Sequence, residues 1–139
     1  MRSPAFFVRV ASDRDVEQWC SLRRLLWHHV SIGNHMIEAQ RLLDDPHHYA
    51  NFVACSCNNE LIGFAEASLR SDYVNGCSTS PVLFLEGIYV LPAARRIGVT
   101  RALCTAVGDW GQHAIARNSH PIRKSTTHTH MTIQNVVRW

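Results

Sequence analysis

Apolar residues recur along this chain with two different periods, and the switches between them lay out a fold. Phe6-Phe7-Val8-Arg9-Val10 is a short apolar run with strand character. After it, Val16, Trp19, Leu22 and Leu26 recur at steps of three and four, which gives one apolar helix face over about fifteen residues. Ser12 is placed to cap that helix, and Asp13 and Asp15 complement the positive end of its dipole. A second, shorter helix is expected from His35 to Leu43, ended by Asp45-Pro46. Tyr49 to Ser56 and Leu61 to Leu69 read as strands joined around Asn58-Asn59, residues that tolerate the left-handed backbone of a tight turn. Ser71 to Pro81 has turn chemistry and little to bury, so a surface loop is expected there. Val82 to Val90 is a strongly apolar strand, which Leu91-Pro92 breaks. Val99, Leu103, Val107 and Trp110 then set the face of a helix from Ile97 to Trp110. The order strand, two helices, three strands, helix predicts an α/β fold with a mixed central sheet and flanking helices.

A chain of 139 residues with 46% apolar and 18% charged residues makes one domain with one real core. No apolar run approaches the roughly 20 residues that span a bilayer. The start lacks the long apolar region of a signal peptide, so a cytoplasmic location is expected. The five cysteines include no C-x-x-C pair, which argues against a disulfide framework. Among the nine histidines, His28-His29 and His47-His48 are adjacent pairs whose side chains diverge on a helix, and no metal site is expected. The net charge of +3 is uneven: residues 110–139 carry four basic residues and no acid. A basic, histidine-rich tail of that kind can bind nucleic acid.

Two features carry candidate chemistry. Glu86 stands between Leu85 and Gly87 in a run otherwise suited to a core. An unpaired carboxylate buried there would cost several kcal/mol, so it should face a pocket or a cation. Strand alternation would place Glu86, Ile88 and Val90 on one side of the sheet. The second feature is the loop Arg95-Arg96-Ile97-Gly98-Val99-Thr100-Arg101, which opens a helix. A helix start exposes unpaired N–H groups, a glycine admits close approach, and the arginines add charge, a combination suited to a pyrophosphate. Alone, a basic helix start is more often solvated surface.

In context these segments resemble the GCN5-related N-acetyltransferases (GNAT), and in particular the aminoglycoside 6′-N-acetyltransferases. The resemblance is carried by Tyr73-Val74-Asn75-Gly76, by Phe84-Leu85-Glu86-Gly87-Ile88, and by the Arg-x-x-Gly loop after Val90-Leu91-Pro92. It runs from about Phe6 to about Trp110. It implies a GNAT-like fold and acetyl-CoA as co-substrate, with the pyrophosphate gripped by Arg95, Arg96, Ile97, Gly98, Val99, Thr100 and Arg101. It implies a backbone N–H donor to the thioester oxygen among Ile88, Tyr89 and Val90. It further implies an antibiotic pocket lined by Trp27, Tyr73 and Glu86, with Glu86 as candidate base, and a homodimer. Asp72 and Glu38 could add negative potential for a polycationic substrate. Thr100 departs from the family's preference for a smaller residue. Two other readings stay open: an acetyltransferase for another small amine or a protein N-terminus, and a non-catalytic nucleic-acid binder that uses the basic tail.

After Trp110 the pattern stops. The family continues with a strand reading Cys-x-Glu-Phe/Met-Ala-Ser-Asp, whose aspartate is credited with substrate binding and proton removal. This chain reads Ile115-Ala116-Arg117-Asn118-Ser119-His120-Pro121-Ile122. Regrouping its codons by one base is compatible with Cys-x-Glu-Phe-Ala-Ser-Asp at the family's own distance from Trp110. Residues 1–110 therefore read as an acetyltransferase domain, and residues 111–139 as an out-of-frame tail. Without the family's next strand, the Val82 to Val90 strand is expected to lose an edge partner, with a risk of aggregation.

Overall fold

The computed structural model describes residues 5–70, 81–118 and 131–133. The loop expected at 71–81, with Asp72 and Tyr73, lies outside the described residues except for Pro81, as does most of the tail. The strands and α-helices are β1 (Phe6–Val10), α1 (Val16–Leu26), α2 (Ile32–Leu43), β2 (Tyr49–Ser56), β3 (Leu61–Arg70), β4 (Val82–Val90), α3 (Val99–Asn118) and β5 (Met131–Ile133). The sheet runs β1-β2-β3-β4-β5, antiparallel except for the parallel β4–β5 pair.

Helices cover both faces. Trp19, Cys20, Leu22 and Leu26 of α1, with Ala39 and Leu42 of α2, bury against Val53, Cys55 and Phe64. On the other face Val99, Leu103, Val107 and Ala114 of α3 bury against Leu83, Leu85, Ile88 and Val90. The expected capping at α1 takes a particular form. Asp15 accepts the Ser12 N–H at 2.8 Å and is bound by both terminal nitrogens of Arg9 at 2.7 and 2.8 Å. The Arg9 hydrogen bonds hold its carboxyl below the ordinary carboxylate range. Asn59 adopts φ 62° in the β2–β3 turn, the left-handed conformation expected there.

Four expectations need correction. Helix α2 starts at Ile32, because the Ser31 hydroxyl caps it by accepting the Asn34 N–H at 3.2 Å. Gly33, just inside, hides that start from a reading of periodicity. Helix α3 starts at Val99 and runs to Asn118 rather than ending at Trp110, since Gly111 and Ala114 continue the buried stripe of Leu103 and Val107. The open edge expected on β4 is partly filled: Met131–Ile133 pairs in parallel with Leu83–Leu85. The fourth correction, at Glu86, shapes the site.

Candidate active site

In the β3–β4 ladder Glu66 faces Gly87 while Ala67 faces Leu85, so Glu86 is an extra residue, a β-bulge. The bulge breaks the alternation that would have put Glu86, Ile88 and Val90 on one side. Ile88 and Val90 turn into the core beneath α3 together with Leu83 and Leu85. Glu86 and Gly87 both turn toward α1 and α2. A Cβ at Gly87 would lie 2.4 Å from Trp27 Cη2 and 2.5 Å from its Cζ2, so the glycine makes room for the indole. The acid and the tryptophan thus share one cleft because of one inserted residue and one missing side chain.

That cleft measures about 290 Å³ and is lined by Trp27 and Glu86 together with Arg23, Glu38, Arg41, Tyr49, Glu66, Ser68 and Arg70, among others. Glu86 accepts from the Ser68 hydroxyl at 2.5 Å and from Arg70 at 2.6 Å, both on Oε1. Glu38 is bound by Arg41 at 2.6 and 3.0 Å, and Arg41 also donates to the Tyr49 hydroxyl at 3.1 Å. These hydrogen bonds from Arg41 hold the Glu38 carboxyl down from its ordinary value. Each of the three glutamates of the lining faces an arginine, so the described lining carries no surplus negative charge, and Asp72 lies outside the described residues.

The deepest pair is Glu66–Arg23. Glu66 is 4% exposed and binds Arg23 through both carboxylate oxygens, while Trp19 Nε1–H donates to it at 3.0 Å. Burial pushes its carboxyl up, and Arg23 and then Trp19 oppose that shift. Arg23 continues the network: its Nε–H donates to His35 Nδ1 at 3.1 Å. Because Nδ1 accepts, the neutral ring carries its proton on Nε2 and donates to the Trp27 carbonyl at 3.1 Å. The Arg23 guanidinium also lies 4.9 Å from the Trp27 ring centroid. A buried chain from β3 through α1 to α2 thus fixes the residue that floors the cleft.

Burial pushes the His35 pKa down, with a smaller contribution from nearby Arg23. In the window below the unfolded value of about 6.5, the unfolded state binds more protons than the native one, so stability falls as pH falls through it. His35→Ala should remove this part of the pH slope. At pH 7 it should cost about 1–3 kcal/mol by leaving Arg23 Nε and the Trp27 carbonyl unpaired. Urea unfolding of both chains between pH 5 and 8 checks this, and parallel slopes would contradict it.

At the far end of β4 the candidate chemistry lies in the backbone. The Leu91 N–H donates to Ile62 of β3 at 2.9 Å, whereas the Val90 carbonyl accepts Arg95 Nε at 2.9 Å on the opposite side. Peptide groups alternate along a strand, so the N–H groups of Ile88 and Val90 also point away from β3. β5 pairs only with Leu83–Leu85, and among the described residues no strand covers the edge from Gly87 to Val90. Tyr89 faces the α1 side, and Arg95 lies 5.5 Å over its ring.

The loop after β4 holds two left-handed residues, Arg96 at φ 69° and Gly98 at φ 92°. The Gly98 carbonyl accepts the Ala102 N–H at 3.0 Å, so Gly98 caps α3 and leaves the first N–H groups of the helix facing out. Pro92, Arg95, Arg96 and Thr100 line a groove of about 610 Å³ beside it. Ile97 is half exposed, Arg101 is exposed, and the Val99 side chain is buried, so Val99 can offer only its backbone. Nothing lies within 4 Å of a Cβ at Gly98, so a substitution there is opposed by backbone strain alone. Gly98→Ala should cost about 1–2 kcal/mol of loop conformation, weakening coenzyme A binding roughly five- to thirtyfold with α3 intact. Titration of coenzyme A with circular dichroism as a control measures this, and unchanged affinity would contradict it.

Sequence reasoning placed Glu86, Trp27 and the loop but missed Glu66, Arg23, Ser68, Arg70, Arg41 and Tyr49. Glu66 carried the same signal as Glu86, an acid inside an apolar strand run, Phe64-Ala65-Glu66-Ala67. The arginines carried none, because their partners are set by the tertiary fold.

Comparison with known proteins agrees with this geometry. A family profile described as Acetyltransferase (GNAT) family matches residues 16–124. The aminoglycoside N(6′)-acetyltransferase type 1 of Salmonella enteritidis is 43% identical over 104 residues, covering 75% of this chain and 70% of that protein. Its namesake from Stenotrophomonas maltophilia is 43% identical over 110 residues, covering 79% and 70%. Among solved structures, AAC(6′)-Iy in complex with CoA-S-monomethyl-acetylneamine superposes with a TM-score of 0.70 at 42% identity, covering 78% of this chain and 72% of that one. AAC(6′)-Iy in complex with CoA superposes with a TM-score of 0.76 at 35% identity, covering 96% and 78%. With its bulged acid facing a tryptophan-floored cleft and its glycine-capped basic loop, the chain belongs to the GNAT acetyltransferase family, among the aminoglycoside N(6′)-acetyltransferases of type 1.

Proposed function

We propose that this scaffold serves acetyl-CoA-dependent N-acetylation of the 6′-amino group of aminoglycosides, a reaction that confers resistance to these antibiotics. The observation that carries the reading is that β4 joins the two half-sites. Its bulge presents Glu86 to the Trp27 cleft, its last residues offer outward N–H groups, and it leads into the Gly98-capped loop. Acetyl-CoA supplies the acetyl group as a thioester. The helix N–H groups from Val99 onward, with Arg96 and Arg101, would hold its pyrophosphate. The N–H of Ile88 or Val90 would donate to the thioester oxygen as negative charge builds there.

The acceptor amine must lose a proton before it can attack, and a carboxylate is the group suited to take it, directly or through water. Glu86 is assigned to bind a substrate ammonium and is the candidate base among the residues present. Trp27, and Tyr73 by resemblance, would pack against the sugar rings. On this reading the enzyme is cytoplasmic, where acetyl-CoA is available, and homodimeric like the family it resembles.

Residues 111–139 are read as out of frame. The nucleotide sequence between the codons for Trp110 and Ala116 would then carry an inserted or deleted base. The 139-residue chain would show little transfer, for want of the family's aspartate. Detection of thiol release across a substrate panel tests the function. Frame-restored protein should act on aminoglycosides bearing a 6′-amine, and not on 6′-hydroxyl analogues, polyamines or N-terminal peptides. Equal activity on polyamines or peptides would instead support the broader amine acetyltransferase.

A further inference from the structure

The three acid–arginine pairs of the cleft differ in how readily they can open. Glu66 and Arg23 are both buried and tied into the Trp19 and His35 network. Glu38 and Arg41 are exposed neighbours on one helix, with Arg41 also bound to Tyr49. Glu86 and Arg70 lie between these extremes: the acid side chain is 23% exposed and the arginine 39%. Arg70 is the last residue of β3, and its guanidinium lies 4.5 Å from the Phe84 ring centroid while donating to Glu86 at 2.6 Å. Ser68 donates to the same oxygen at 2.5 Å.

We infer that Arg70 is a specificity-determining residue that occupies Glu86 as an internal cation, so that a substrate ammonium must displace it to reach the carboxylate. A guanidinium at 2.6 Å fills the position that an incoming ammonium needs on Oε1, and the two cations would repel each other if both stayed. Desolvating a singly charged amine and moving Arg70 for one contact gains little. A polyamine presents further positive groups to Glu38 and to Glu86 after the exchange, so the exchange selects for several charges. The Phe84 ring lies against the guanidinium while it binds Glu86 and so helps to hold Arg70 in that position. Ser68 stays on Glu86 throughout and keeps it aimed. This inference rests on the reading of the cleft as a cationic-substrate site, but not on acetyl transfer.

The test is calorimetric binding of neamine, and of 2-deoxystreptamine as a probe with fewer amines, to the full chain at low salt. Arg70→Met should bind neamine about three- to tenfold more tightly than wild type, in keeping with the worth of a partly exposed ion pair. Its advantage for neamine over 2-deoxystreptamine should shrink, since the weakly charged probe no longer meets a competitor. Arg70→Lys should stay near wild type. In a Glu86→Gln background, Arg70→Met should give no gain, which separates competition for Glu86 from a general change of potential. Weaker or unchanged neamine binding by Arg70→Met, a gain that persists without Glu86, or no neamine binding in either chain would overturn the inference. If Arg70→Met does not fold, Phe84→Leu removes the ring that holds Arg70 and should tighten neamine about twofold; unchanged binding then overturns it. Binding that follows this pattern, with no acetyl transfer by the frame-restored protein, would sink the enzymatic reading and leave this one standing.

Discussion

Glu66→Ala is expected to destabilise the fold by about 3–5 kcal/mol, because it leaves the Arg23 guanidinium buried without its partner. The cause is asymmetric. Arg23 is 6% exposed, and its donors aim at Glu66 and His35. Loss of the carboxylate would also free the Trp19 indole N–H, a second unsatisfied donor in the core between α1 and the sheet. Replacing both partners by apolar residues of similar volume, Glu66→Leu with Arg23→Met, should recover much of the loss, since an ion pair this deep gains little over good packing. Urea denaturation of the single and double variants measures both effects. A loss below about 1 kcal/mol for Glu66→Ala would mean that water reaches Arg23, contrary to the packing described here.

The second large effect is on ligand binding. Glu86→Ala, made in the frame-restored protein, should weaken aminoglycoside binding roughly ten- to hundredfold, the worth of about 1.5–3 kcal/mol for a charge-assisted contact. Coenzyme A binding should stay nearly constant, because the loop from Arg95 to Arg101 is positioned by the Gly98 cap and the buried Val99 rather than by the bulge. Calorimetry with each ligand separates the two. Equal losses for both would mark Glu86 as a support for β4 rather than a substrate contact.

Much of this architecture was legible in the sequence where a local rule governs. The alternating and continuous apolar runs placed β1 to β4, since strands of a covered sheet bury regularly. The glycine of the basic loop was legible because φ 92° suits no other residue well. The helix ends were misjudged where a short polar residue outweighed periodicity, as at Ser31, and where small residues carried the buried stripe past Trp110. The face of Ile88 and Val90 was misread for a different reason. A bulge adds one residue to one strand only, and its position depends on the partner strand, which no pattern within Val82 to Val90 records. The cleft's arginines were illegible on the same ground: Arg70 reaches Glu86, and Arg23 reaches Glu66, only once β3, β4 and α1 are assembled. Trp27 and Glu86 line one cleft, and the fold supplied their partners.

The proposed function requires that the cleft at Glu86 and the loop at Gly98 form one site for acetyl transfer to a 6′-amine. Its most direct test is mass spectrometry of aminoglycosides incubated with acetyl-CoA and either the 139-residue chain or the frame-restored protein. One added acetyl group, on the 6′-nitrogen, is expected with the frame-restored protein, none on a 6′-hydroxyl analogue, and little or none with the 139-residue chain. Acetylation at another nitrogen, or none by the frame-restored protein while it binds both ligands, would overturn the proposed function.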